Sequence, residues 1–193
     1  MKKCLILFVE GDTEVEFYKK LIANERNKTK NNRFNISIEC KNVKGIGNFK
    51  NNVIRKFEKE IKPKYNKYEF TIVLCSDTDV FELESKPPVN WNEVISKLRE
   101  LGAQNIIIIK AEKCIEDWFL YDSKSILSFL KLNKSTKVKG KNGYDKLKNL
   151  FKKANKMYFK GMNCKDLIDV LDIEKISSKV YNQLKPLLEA LKN

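Results

Sequence analysis

Carboxylate side chains come after three apolar stretches of the sequence. Glu10 follows the first stretch, with Glu14 four residues later, Asp77 and Asp79 follow the second, and Glu116 comes after a run of four isoleucines. Carboxylates held together in a protein interior must be neutralised by protons or by a cation. Oxygen ligands suit hard cations such as Mg²⁺. The pattern therefore predicts a bound divalent cation.

The sequence contains no histidine. This excludes a zinc site built on imidazole ligands and any mechanism that uses a histidine base.

Strand and helix patterns alternate over the first two thirds of the chain. Apolar runs predict four strands, and the positions between them carry apolar residues at helical spacing. The strands are predicted at residues 5–9, 35–43, 70–75 and 105–110. Continuous isoleucine in the last strand favours burial on both faces, as in a parallel sheet covered by helices. The order predicts an α/β fold with a doubly wound, mainly parallel four-stranded sheet.

The remaining third of the chain shows helical patterns only. Helices are predicted at residues 126–132, 144–159, 164–171 and 178–192. We therefore divide the chain into an α/β core at 1–122 and a basic helical C-terminal lobe at 123–193, packed on the core. The polar link at 133–143 is predicted to be a mobile loop.

The predicted strands bring most of these acids to one edge. In an open parallel sheet, ligands bind at the carboxyl ends of the strands, beside the topological switch point. Glu10, Asp77, Asp79 and Glu116 lie at or just beyond such ends. Glu14 falls in the first turn of the following helix, where complementing the helix dipole is its alternative role. An Asp-x-Asp pair also occurs in ordinary turns.

Positive charge is concentrated in one segment of the chain. The formal net charge is +14, and between Lys124 and Lys165 thirteen lysines against one acid give +12. Such an excess attracts polyanions, and the aromatic residues interleaved with the lysines could stack on bases or pack inside. The alternative is that these lysines only cover solvated helix faces. The residues predicted to bind nucleic acid are Lys134, Lys137, Lys139, Lys141, Lys148, Lys152, Lys153 and Lys156.

Three motifs in this order resemble the TOPRIM domain. Residues 8–14 read FVEGDTE, residues 77–79 read DTD, and residues 115–122 read IEDWFLYD. The version they resemble is that of the OLD-type (overcoming lysogenization defect) nucleases and of small stand-alone TOPRIM proteins of bacterial defence loci. The resemblance covers roughly residues 1–122.

The resemblance implies a metal-dependent nuclease that cleaves phosphodiester bonds of DNA or RNA, with phage defence as its setting. It implies that Glu10 acts in acid/base or metal-ligand work and that Asp77 and Asp79 hold Mg²⁺ or Mn²⁺. A second metal ion would recruit Glu14 and Glu116. Lys160 resembles the lysine that similar proteins place after their acids, where it would neutralise charge on the reacting phosphate.

The sequence differs from the OLD-type nucleases in the domains that accompany the TOPRIM domain. OLD nucleases carry an ATPase domain, and no GxxxxGK[ST] sequence occurs here. Either the nuclease works alone, or a separate ATPase or regulator chain controls it. A homo-oligomer also stays open.

Two other functions compete with the nuclease. A non-catalytic TOPRIM scaffold could bind nucleic acid or protein, although clustered carboxylates would then repel phosphate. A haloacid-dehalogenase-like phosphatase is a minor alternative, because the stretch at residues 72–79 resembles the nucleophile strand of that family.

No apolar run is long enough for a membrane span, and the start of the chain does not read as a secretory leader. We therefore expect a cytoplasmic protein without a membrane partner. The five cysteines are scattered without a CxxC pair, which predicts free thiols.

Overall fold

The computed structural model describes residues 2–29, 34–78 and 89–192. Asp79, one of the predicted metal ligands, lies outside the described residues, so its placement stays a prediction.

In these described ranges, four parallel strands form the central sheet. They are β1 (Lys2–Val9), β2 (Ile36–Asn42), β3 (Tyr68–Asp77) and β4 (Ala103–Ala111). Their order in the sheet is β2-β1-β3-β4, and every neighbouring pair is parallel. The predicted fold class, an α/β protein with a parallel four-stranded sheet flanked by helices, is confirmed.

Helices connect and follow the strands. Those in the described part of the chain are α1 (Asp12–Asn27), α2 (Phe49–Lys56), α3 (Lys62–Lys64), α4 (Trp91–Glu100), α5 (Ile115–Phe119), α6 (Ser123–Phe129), α7 (Gly143–Lys153), α8 (Lys165–Val170), α9 (Ile173–Lys179) and α10 (Tyr181–Ala190). A π-helical turn at Phe57–Ile61 joins α2 to α3.

Both faces of the sheet are covered. Side chains alternate along β1, so Leu5 and Leu7 join one buried cluster while Ile6 and Phe8 join the other. The first cluster contains residues of α1 and of the helices after residue 123, and the second contains residues of α2 and α4. This arrangement is the doubly wound one that the sequence predicts. The division into two domains at residue 122 stays a prediction.

Two helices differ from the helices that their apolar pattern predicts. Helix α7 ends at Lys153 rather than continuing to residue 159, because Asn155 adopts a left-handed conformation with φ 54°. The helix predicted at 178–192 is divided at Val180 between α9 and α10. The early end of α7 releases residues 154–164 as a loop that crosses to the end of the sheet.

The polar link before α7 lies along that helix. Asn149 Nδ2 donates a hydrogen bond of 2.9 Å to the Lys139 carbonyl, and Lys153 Nζ donates one of 3.0 Å to the Lys137 carbonyl. These bonds hold the link against α7, and its predicted mobility stays a prediction.

The five cysteines are free thiols, as predicted. Among the described residues, no helix is both long enough and apolar enough to cross a membrane.

Candidate active site

Glu10 and Asp77 meet at the carboxyl ends of the two central strands. Glu10 follows β1, Asp77 ends β3, and the chain order reverses between these neighbours. The backbone N–H of Asp77 donates a hydrogen bond of 2.8 Å to Glu10 Oε1. The two acids therefore lie at the switch point, where an open α/β sheet binds its ligands.

Asp77 joins three parts of the molecule. Its Oδ1 accepts a hydrogen bond of 3.0 Å from the backbone N–H of Ile115, the first residue of α5. Its Oδ2 lies 2.8 Å from Lys160 Nζ in an ion pair. Burial raises the pKa of Asp77 well above its usual range, the Lys160 charge opposes this rise, and Glu14 and Glu10 add to it. Asp77 is thus held by the fold at an electrostatic cost that its ion pair partly offsets.

Glu14 is the third buried carboxylate of the site. It lies in the first turn of α1, beside the strand end that carries Glu10. Burial raises the pKa of Glu14 to about 7, a backbone hydrogen bond opposes the rise, and the nearby charges of Glu10 and Glu116 add to it. A group with this pKa holds a proton for part of the time at neutral pH.

Glu116 is the fourth buried carboxylate, and Tyr158 orients it. Glu116 is only 1% exposed, and its Oε1 accepts a hydrogen bond of 2.9 Å from the Tyr158 hydroxyl. Its Oε2 is buried with no hydrogen-bond partner in the described ranges. Such an orphaned oxygen in a native structure calls for an explanation, and an unseen ion is one.

Sequence reasoning did not find the role of Tyr158. It is one tyrosine among several, two positions before Lys160, and nothing in the local pattern signals that its hydroxyl meets Glu116, 42 residues earlier. A loop that returns to the site from α7 makes this contact.

A tight turn at residues 159–162 brings Lys160 to the acids. The Met162 N–H donates a bond of 3.2 Å to the Phe159 carbonyl, and Gly161 has the positive φ of 78° that such a turn favours. The turn is fixed to the start of α1, because the Asp12 N–H donates to the Gly161 carbonyl at 3.3 Å and Thr13 Oγ1 donates to the Met162 carbonyl.

Gly11 permits this close approach. A Cβ atom at Gly11 would lie 2.7 Å from the Gly161 Cα and 2.8 Å from Glu14 Oε2. Both distances are too short for a side chain. The glycine of the first motif therefore allows the lysine turn to dock beside the carboxylates.

A cleft of about 540 Å³ opens beside Glu10 and Glu14. Its lining also includes Asn42, Lys44 and Lys160. The cleft therefore combines two of the buried carboxylates with two ammonium groups, a combination that suits an anionic ligand when a cation neutralises the acids.

The buried carboxylates are the kind of oxygen ligand that hard divalent cations prefer. Burial raises the pKa of Glu14 to about 7 and that of Asp77 well above its usual range, so the cluster is costly to keep charged without a cation. Glu116 offers an oxygen that accepts no hydrogen bond from the described residues. One observation limits this fit: within residues 2–29, 34–78 and 89–192, no three acidic or cysteine side chains are grouped closely enough to hold one ion. A cation bound at Asp77 Oδ2 would have to displace Lys160 from that oxygen.

The basic segment adjoins the same end of the sheet. The start of α7 packs on α5 so closely that a Cβ at Gly143 would lie 2.2 Å from the Asp117 backbone N. Lys146 Nζ lies 3.5 Å from Asp117 Oδ1. The eight lysines predicted to bind nucleic acid all lie exposed on α7, on the link before it or just after it: Lys134, Lys137, Lys139, Lys141, Lys148, Lys152, Lys153 and Lys156.

Fold and site together define an α/β protein with four buried carboxylates and a lysine at the switch point of a parallel sheet. No family model and no curated protein matches the chain. Among solved structures, the C-terminal region of the Xanthomonas campestris pv. campestris OLD protein is similar, with 17% identity and a TM-score of 0.35, over 96% of this chain and 85% of that one. A match this weak carries no argument about activity.

Proposed function

We propose that this chain is a metal-dependent nuclease, or a nuclease subunit, that hydrolyses phosphodiester bonds of DNA or RNA. The observation that carries the proposal is the Lys160–Asp77 ion pair inside a cluster of buried carboxylates at the switch point of the sheet. A purely structural cluster of this kind would destabilise the fold without a compensating gain.

Glu10, Glu14, Asp77 and Glu116 are the residues that would hold one or two Mg²⁺ or Mn²⁺ ions, together with Asp79 from outside the described ranges. A bound ion would supply an activated water and stabilise the leaving oxygen of an in-line displacement.

The chain's own groups complete this chemistry. Tyr158 fixes the Glu116 carboxylate, and Glu10 holds the end of β3 through the Asp77 N–H. The Lys160 ammonium, 34% exposed and lining the cleft, is placed to contact a phosphate oxygen. There it would stabilise negative charge as the phosphate reacts. In this proposal Glu10 and Lys160 are the catalytic residues.

Charge supports a nucleic acid as the substrate. The +12 segment at 124–165 contributes α7, whose start packs on the helix that carries Glu116. A polyanion bound along this segment would extend towards the cleft, and the exposed lysines would contact its phosphates.

The test is cleavage of plasmid DNA, single-stranded DNA and total tRNA with Mg²⁺, Mn²⁺ or EDTA. We expect cutting that requires metal and falls at least about 100-fold in Asp77→Asn and Glu10→Gln, since each removes a charge from the cluster. The matched control is Glu58→Gln, an acid 42% exposed and away from the cleft, which should cut like the wild type. Full activity in either site variant would refute the assignment.

A non-catalytic binding scaffold is the second candidate. The observation in its favour is that no three acidic residues in the described part of the chain group around one ion position. Binding of nucleic acid without cleavage under any metal would favour it. A phosphatase would instead hydrolyse p-nitrophenyl phosphate. A partner ATPase or regulator, a homo-oligomer and a cytoplasmic location stay predictions.

A further inference from the structure

The side chains of residues 157–160 point alternately to solvent and to the candidate active site. Met157 is 73% exposed, Tyr158 is buried on Glu116, Phe159 is 55% exposed, and Lys160 reaches Asp77. Single exposed apolar residues are common and carry no meaning alone. Met157 and Phe159 differ from such residues in their position, because they flank Tyr158, which orients Glu116. Phe159 also directly precedes Lys160, the candidate catalytic lysine.

The fold holds Phe159 in place despite its exposure. The turn at 159–162 is bonded to the start of α1 through the Asp12 N–H and the Thr13 hydroxyl. The Phe159 N–H also contacts Met162 Sδ at 3.2 Å. An aromatic ring on a backbone fixed in this way loses little freedom when it stacks on a ligand.

A depression of about 300 Å³ lies beside this turn. Its rim includes Met157, Met162 and Asn163, with Lys156 and Lys165 adding positive charge. Asp166 is the acid on the rim. The volume is at the lower end of the range for small-molecule pockets, about 300–1,000 Å³. The aromatic part of the lining is Phe129 and Phe151, while Phe159 lies on the adjoining turn and not in the lining. Thioether and aromatic surfaces with an amide and two ammonium groups suit a flat heterocycle that carries a phosphate.

We propose that Phe159 and this depression bind an unpaired base next to the phosphate in the cleft, so that the substrate is single-stranded or locally unpaired nucleic acid. The inference rests on the proposed function for the position of that phosphate. In a duplex the faces of the bases are covered by their stacked neighbours, so an exposed ring can stack on a base only where the strand is open. The lysines around the depression would bind the backbone of the same strand.

Binding measurements test this without any catalysis. The probes are a fluorescein-labelled single strand of about 12 nucleotides, as DNA and as RNA, and the corresponding duplex. Fluorescence anisotropy is recorded in EDTA with the full chain. We expect Phe159→Ala to weaken binding of the single strands about 10-fold or more, and binding of the duplex less than about 2-fold, since loss of stacking costs about 1–3 kcal/mol per base. Phe159→Trp should retain single-strand binding.

The control is Tyr181→Ala, which removes a ring that is 50% exposed at the start of α10. It should change no affinity. Equal losses on single strands and duplex, or no loss on single strands, would overturn the inference. The DNA and RNA probes also show which sugar is preferred. If Phe159 supports single-strand binding while nothing is cut under any metal, the nuclease proposal fails and the binding site stands.

Discussion

Glu14 illustrates how burial sets the chemistry of a single side chain. Its carboxyl lies in the first turn of a helix, where a negative charge is ordinarily stabilised by the helix dipole. Burial together with Glu10 and Glu116 outweighs that effect and raises the pKa of Glu14 to about 7. The helix-dipole role considered from the sequence is therefore insufficient to keep Glu14 fully charged at neutral pH.

This shift predicts how stability depends on pH in the metal-free protein. The pKa of Glu14 rises from 4.5 to about 7 on folding, so between these values the folded state binds a proton that the unfolded state has lost. The free energy of unfolding therefore decreases as the pH rises from about 4.5 to about 7, and it stays lower above that range. Thermal unfolding in EDTA at pH 5 and pH 8 measures the difference.

Glu14→Gln should reduce this loss of stability, by at most about 3 kcal/mol at pH 8. Glu16→Gln is the control on the same helix, because Glu16 pairs with Lys19 at 2.8 Å outside the cluster. An unchanged pH dependence in Glu14→Gln would show that Glu14 does not carry the shift.

The sequence identifies the acids better than their partners. Glu10, Asp77 and Glu116 are recognisable because each follows an apolar run, and parallel strands bring such positions to one edge. The bond from the Ile115 N–H to Asp77 and the bond from Tyr158 to Glu116 depend on backbone placement between distant segments. No local pattern encodes them.

At the level of elements, the contact between the end of β1 and the 159–162 turn determines the site. Gly11, after β1, and Gly161, in the turn, are in close contact. If the turn moved away from β1, Lys160 would move away from Asp77. The strands, α1 and α4 follow from apolar periodicity. The end of α7 does not, because its apolar pattern continues while the left-handed Asn155 terminates the helix.

Gly11→Ala tests the role of this contact. The added methyl group would lie 2.7 Å from the Gly161 Cα, so the turn must move away. We expect a loss of about 1–3 kcal/mol in the free energy of unfolding, as for other overpacked sites, and loss of cleavage in the folded protein. Urea unfolding and the cleavage assay measure the two effects.

Gly47→Ala is the matched control, since a Cβ there would meet nothing within 4 Å in the described part of the chain apart from adjoining backbone. It should preserve both properties. Normal stability and cleavage in Gly11→Ala would mean that neither folding nor activity depends on the close contact between Gly11 and the 159–162 turn.

Over the whole molecule, charge is arranged asymmetrically. The lysines that make the segment at 124–165 strongly basic lie exposed on α7 and its flanking loops, whereas the acids of the site are buried at the sheet edge. Lys153 Nζ and Asn149 Nδ2 hold the link against α7, so the lysines of the link and of the helix share one surface. The sequence predicts the excess of positive charge in this segment. Only the structure shows that the link folds onto α7.

Salt dependence tests this surface. Replacing four exposed lysines of the segment with glutamine should lower the slope of log K against log salt by about 3, because each phosphate contact contributes about 0.7–0.9. The substituted residues are Lys134, Lys139, Lys141 and Lys152. Titrations of labelled single-stranded DNA at several salt concentrations measure the slope.

A charge-matched control replaces four exposed lysines outside the segment, each at least half exposed: Lys19, Lys59, Lys97 and Lys185. Its slope should change much less. Equal slopes for the two variants would mean that overall charge, and not this surface, attracts the nucleic acid.

The docking of the 159–162 turn against Gly11 joins residues about 150 positions apart. During translation the strands and their acidic residues are synthesised first, and Lys160 is synthesised only after α7. During that interval the nascent chain holds carboxylates without their ammonium partner. If the chain is a nuclease, activity can begin only after the 159–162 turn has been synthesised and has docked, so a nascent chain that stops short of Lys160 would leave the messenger RNA beside it uncut.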